Sequence, residues 1–220
     1  MAWLEFQTAS GSAIIRRQLF TANGTWTKPD KLVGDQVWIT AIGGGGSGNS
    51  STNDLGGCSG AYITRFPVDV SGTTSESITV GAGGALVNGA GTNTAGNAGA
   101  PSSFGSLVSV DGAVAASVNL LYISPLDGQN PGCNSGDFLS SISGVFGATI
   151  AAYVGGQSGL GGSGLLLDAS GIRAGDGNNE VSSPGGNGYG AGGGSKTSSN
   201  ATNSGAGAPG ALLVEWLEKV

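Results

Sequence analysis

Histidine is absent from the 220 residues. Without an imidazole there is no Ser-His-Asp triad, no histidine general base and no histidine metal ligand. Charge is also scarce: 10% of residues are charged, with 8 Lys and Arg against 14 Asp and Glu, a net charge of −6. So few cations, at a pI near 4.3, do not suit a nucleic-acid phosphate backbone, and no nucleic-acid partner is expected. The charged helix formers Lys and Glu are rare, which excludes a helical bundle or coiled coil. Apolar runs are short. None approaches the ~20 residues of a membrane span, and the opening Met1-Ala2-Trp3-Leu4-Glu5 does not read as a secretory signal, so no membrane insertion is expected. Two cysteines, Cys58 and Cys133, make neither a disulfide framework nor a complete zinc site; they read as two thiols, with a single disulfide as the alternative. Seven prolines and no G-X-Y period exclude collagen.

Glycine is what the chain has in excess, at 45 positions. Each ordered glycine in a regular element costs about 0.5–1 kcal/mol relative to alanine, mostly in backbone entropy. Two readings meet that cost. The glycine segments either pack backbone to backbone as polyproline-II-like strands, or they form ordinary turns and flexible surface loops. A three-residue spacing favours the first at Gly81/Gly84, Gly156/Gly159/Gly162 and Gly185/Gly188; the run Gly190–Ser195 fits the second.

Between the glycines lie short segments of β character. Leu19–Thr27 is rich in β formers, with Phe20 and Trp26 at equal parity and Asn23-Gly24 as a break. Gln36–Ile42 alternates, Val37, Ile39 and Ala41 against Trp38, Thr40 and Ile42. Ala61–Val70 is a strand that Pro67 restricts to an edge or a bulge. Ser77–Val80, Leu107–Val110 with Asp111-Gly112 as a turn, and Ala211–Leu217 complete the set. The expected fold is all-β, a sandwich-like antiparallel body with glycine-rich loops.

Chemistry-bearing motifs are weak. Gly43, Gly45 and Gly48 fit G-x-G-x-x-G after a strand, but the polar Asn49–Asp54 that follows offers no apolar helical stripe for a dinucleotide site. Asp111, Asp127, Asp137, Asp168, Asp176 and Glu180 provide carboxylates without a motif that brings two together as a glycosidase requires. Asp176–Glu180 lacks the alternating acids of an EF-hand loop. No catalytic residue, metal or cofactor is expected. Residues 1–18 differ from the rest, with Trp3, Leu4 and Phe6 ahead of a small polar stretch. They read as an arm that docks on a partner, with packing on the same domain as the alternative.

Phe20-Thr21-Ala22-Asn23-Gly24-Thr25-Trp26-Thr27-Lys28-Pro29 leads an ordered set of motifs. It continues with Val37–Ile42 running into Gly43–Gly46, Ile78–Gly84, Ser102-Ser103-Phe104-Gly105 and Gly207–Trp216. As a set they resemble the glycine-rich domain at the ends of tailed-bacteriophage tail fibres and related receptor-binding adhesins. The resemblance covers residues 20–112 and 185–217. It implies a non-enzymatic virion protein on the phage tail, assembled in the host cytoplasm and used in host attachment. Its partners would be other tail or baseplate proteins and a bacterial surface receptor such as a polysaccharide, pilus or outer-membrane protein. A homotrimer is the expected assembly. The other class is a baseplate or fibre-assembly component without receptor contact. Residues 1–18 would then be the docking arm, with Trp3, Leu4 and Phe6 on the virion, and 19–220 the glycine-rich domain. Its region 113–184 departs from the pattern. Tyr122 and Tyr189, aromatics beside turn residues, are the candidate receptor contacts.

Overall fold

The computed structural model describes residues 13–50, 57, 60–88, 94–113, 115, 188–194 and 203–220. Among these residues there is no helix; eight strands run β1 (Ala13–Phe20), β2 (Gly24–Thr27), β3 (Leu32–Ile42), β4 (Tyr62–Asp69), β5 (Ser75–Thr79), β6 (Ser102–Phe104), β7 (Val108–Val110) and β8 (Ala211–Lys219). They form two four-stranded antiparallel sheets, ordered β1-β8-β3-β4 and β2-β5-β6-β7. The all-β antiparallel expectation is met. Tyr122, Cys58, Cys133, Trp3, Leu4 and Phe6 lie outside the described residues, as does nearly all of 113–184.

Alternation selects which face of each strand is buried. Val37, Ile39 and Ala41 of β3 and Leu212, Val214 and Trp216 of β8 join one cluster with Trp26, Ile78, Phe104 and Val110 of the opposing sheet. Trp26 lies at its centre, its ring tilted against Phe104 at 5.4 Å and edge-on to Trp216 at 6.4 Å. Its Nε1–H has no hydrogen-bond partner, a cost set against complete burial of the largest side chain. The break at Asn23-Gly24 lets the chain change sheets: Phe20 ends β1 in one and Gly24 opens β2 in the other. Asn23 Oδ1 accepts from Val80 N–H at 2.8 Å, tying the crossover down. Pro67 sits on β4, an edge strand, as its missing donor demands. The β3–β4 register shifts between Ile39 and Ala41; there Arg65 adopts φ 47° and donates its N–H to Thr40 Oγ1. β1 begins at Ala13, inside the segment read as an arm.

Among the described residues the glycine segments are not loops. Six stretches outside the sheets (43–50, 81–88, 94–101, 111–113, 188–194 and 203–210), together with Gly57, Gly60 and Ala61, pack side by side through backbone hydrogen bonds of 2.7–3.1 Å. Residues 43–50 are buried throughout and form the axis. Their partners recur every third residue. Gly44, Ser47 and Ser50 donate to Ala100, Asn97 and Thr94; Gly45 and Gly48 donate to Ala208 and Gly205. The outer segments repeat the rule, Ser204, Gly207 and Gly210 donating to Val87, Gly84 and Gly81, and Gly205 and Ala208 to Gly194 and Ala191. A threefold recurrence is that of a polyproline-II helix, three residues per turn. Partner numbers fall as donor numbers rise, so these neighbours are antiparallel. The packed-glycine reading therefore holds for the described segments, and Asp111-Gly112 continues β7 into this array instead of turning.

Close approach explains the residue type. A Cβ on Gly45 would fall on the carbonyl oxygen of Ala191, and one on Gly207 on that of Gly45. Serine hydroxyls satisfy buried groups where the segments meet the sheets. Ser102 Oγ accepts from Gly81 N–H at 2.9 Å and donates to the Ile42 carbonyl at 2.8 Å.

Candidate functional site

Apart from 188–194, each described segment of the array continues a strand or leads into one. Residues 43–50 leave β3 and 60–61 enter β4; 81–88 leave β5 and 94–101 enter β6; 111–113 leave β7 and 203–210 enter β8. The sheets therefore anchor one end. At ~3.1 Å per residue, the seven steps from Gly43 to Ser50 carry the chain roughly 22 Å from β3. Ser50, Asn88, Thr94, Gly194 and Asn203 lie at that far end.

Polar residues close this end. Ser50 and Thr94 exchange backbone hydrogen bonds, each N–H donating to the other's carbonyl at 2.9 Å, and Asn88 bridges Asn203. Ser204 N–H donates to the Val87 carbonyl while its Oγ accepts from Val87 N–H, at 3.0 and 2.9 Å. One turn inward, Ser47 Oγ accepts from Asn97 N–H at 2.7 Å. Asn49, Ser50 and Ser204 are buried and Asn88 and Thr94 exposed. A rigid hydrogen-bonded platform thus forms this end of the described array.

Tyr189 is half-buried at the opposite, sheet-proximal end. It sits in a bend between Gly188 (φ 93°) and Gly190 (φ 70°). Gly190 N–H donates to the Pro209 carbonyl, and its own carbonyl accepts from Gly60. Tyr189 is therefore not among the residues that close the far end. Asp111 is exposed, and its backbone carbonyl accepts from Ala61 N–H; the other five carboxylates weighed from the sequence lie outside the described residues. Among the described residues no group of three His, Cys, Asp or Glu side chains could hold a metal ion. The glycines of G-x-G-x-x-G, Gly43, Gly45 and Gly48, are members of the array axis, each N–H already bonded to a carbonyl.

Sequence reasoning missed the polar closure of the far end. Its signal was present at two of the four positions: Ser50 and Asn203 border the polar stretches 51–54 and 195–202, at which the glycine runs give way. A comparison with curated proteins gives no match. Residues 20–217 match a family model described as a glycine-rich domain. That span takes in every strand but the first seven residues of β1 and the last two of β8, together with the whole described array, and the chain belongs to the glycine-rich domain family.

Proposed function

We propose that the protein is a non-enzymatic attachment module of a bacteriophage tail fibre or tail tip, contacting the host surface through the end of the array remote from the sheets. The observation that carries this reading is the geometry of that end. Polar groups held on a rigid hydrogen-bonded scaffold, as at Ser50/Thr94 and Asn88/Asn203, are where binding surfaces are usually built, because the scaffold holds the entropy cost of ordering them low. The resemblance of the ordered motifs to those of phage fibre-end domains is what suggests the biological setting. A homotrimer would present three copies of a weak site and gain avidity. The experiment is adsorption of the purified, fluorescently labelled protein to a panel of bacterial strains. Strain-selective, saturable binding that unlabelled protein displaces supports the reading. Uniform absence of binding across strains that the parent phage infects would leave the assembly-component reading in its place.

A further inference from the structure

The outer face of the β1-β8-β3-β4 sheet is built unlike the rest of the surface. β8 is an interior strand, and its Glu215 points away from the core, yet its side chain is only 4% exposed. Two arginines cover it. Arg17 Nε on β1 donates to Oε1 at 2.9 Å, and Arg65 Nε on β4 lies 3.8 Å from Oε2. Arg65 also stacks on Trp38, its guanidinium carbon 5.6 Å from the ring centroid, and holds the left-handed φ of 47°. The arginines themselves are 64% and 52% exposed, so most of their donors face outward. The cross-strand register puts Ile15 opposite Leu217 and Leu19 opposite Leu213 on the same face. Ile15 and Leu19 are exposed large apolar residues, and Trp38, Leu213 and Leu217 are half-exposed. Around Glu215 the face therefore carries two guanidiniums for one carboxylate, with apolar side chains beside them, on a protein whose net charge is −6.

Such a face fits a carboxylate flanked by large apolar groups. The twelve residues ahead of β1 contain one: Glu5, between Leu4 and Phe6, the sole charged side chain before Arg16. We propose that residues 1–12 fold back over this face in the same chain, with Glu5 against Arg17 and Arg65 and with Trp3, Leu4 and Phe6 on the apolar side chains beside them. Length permits it. Eight residue steps lead from Glu5 to Ala13 and span up to about 26–29 Å extended, whereas Arg17 lies about 13 Å along β1 from Ala13. Ser10-Gly11-Ser12 supplies small residues for the reversal. A segment tethered this closely has a high effective concentration at its own sheet, which favours the same chain over a second copy.

The test uses nitrogen-15 spectra of the full chain, following the Trp38 indole and the Arg17 and Arg65 Nε–H signals. Glu5→Gln, which cannot unfold the sheet, should shift all three. A variant lacking residues 2–12 should shift them further, and a synthetic peptide of residues 1–12 should return them towards their positions in the full chain. Unchanged signals in both variants would overturn the proposal and leave the segment for another protein. Signals that depend on protein concentration, with a dimer that the deletion abolishes, would also overturn it, by placing the segment on a second copy.

Discussion

Gly45 is bonded or crowded on three sides. Its N–H donates to Ala208, its carbonyl accepts from Gly84, and a Cβ would fall on the Ala191 carbonyl. Backbone cannot yield as a side chain does, so Gly45→Ala is expected to cost at least about 1–3 kcal/mol, read from urea-unfolding midpoints. Gly72 is the control. It lies in an exposed turn with nothing within 4 Å of a built Cβ, and Gly72→Ala is expected to be neutral or to stabilise by about 0.4–1 kcal/mol. Equal losses at both positions would mean that close contact at a built Cβ is not what requires glycine at position 45. Ser102→Ala removes the acceptor for the buried Gly81 N–H and should cost about 1–3 kcal/mol. These roles were poorly legible in the sequence. A glycine has no side chain to reveal which neighbour it touches, and the pair Gly81/Gly84 carried the period without naming its partners, Gly210 and Gly207. Tyr189→Ala separates two roles: a receptor contact would lose adsorption at unchanged melting temperature, whereas a packing residue in its glycine bend would lose both.

Strands were far more legible, because alternation is written in side chains. Val37/Ile39/Ala41 against Trp38/Thr40/Ile42 identified the buried face of β3, and Pro67 identified β4 as an edge. The bulge at Arg65 was not legible, since it arises from a register shift with a strand over twenty residues away. At this scale the ion pairs of β8 make a specific prediction. Arg17 and Arg65 are more than half exposed, so each single change to alanine should cost no more than about 1 kcal/mol. Removing both leaves a buried carboxylate unpaired, and the double variant should lose about 2–3 kcal/mol beyond the sum. Additivity would show that solvent already serves Glu215. At the end of β4, Asp69 Oδ1 accepts from Ser71 N–H at 2.7 Å, and the Ser71 backbone and then side-chain hydrogen bonds hold the carboxyl below its usual 3.8. A depressed folded-state value adds stability that is present above the unfolded value and lost as pH falls through the folded one. The advantage of the native chain over Asp69→Asn should therefore be constant near neutrality and shrink below pH 3.8, measured by paired thermal melts.

Across the whole molecule, two hydrogen-bonded systems of different period share one chain. The sheets repeat every two residues and bury side chains; the array repeats every three and buries backbone. The sheets hold the array by the ends of its segments, and Ser102 and Asn23 fasten the junction. If the array were a set of loops, the amides of residues 43–50 would exchange with solvent as loop amides do. Native-state hydrogen exchange followed residue by residue tests this directly. Gly44, Gly45, Ser47, Gly48 and Ser50, all donors to carbonyls within the array, are expected to exchange only through global unfolding, at the same opening free energy as Ile39 and Val214 in the sheets. Exchange of these five amides at the rates of unstructured glycine peptides, with the sheet amides still protected, would contradict the account.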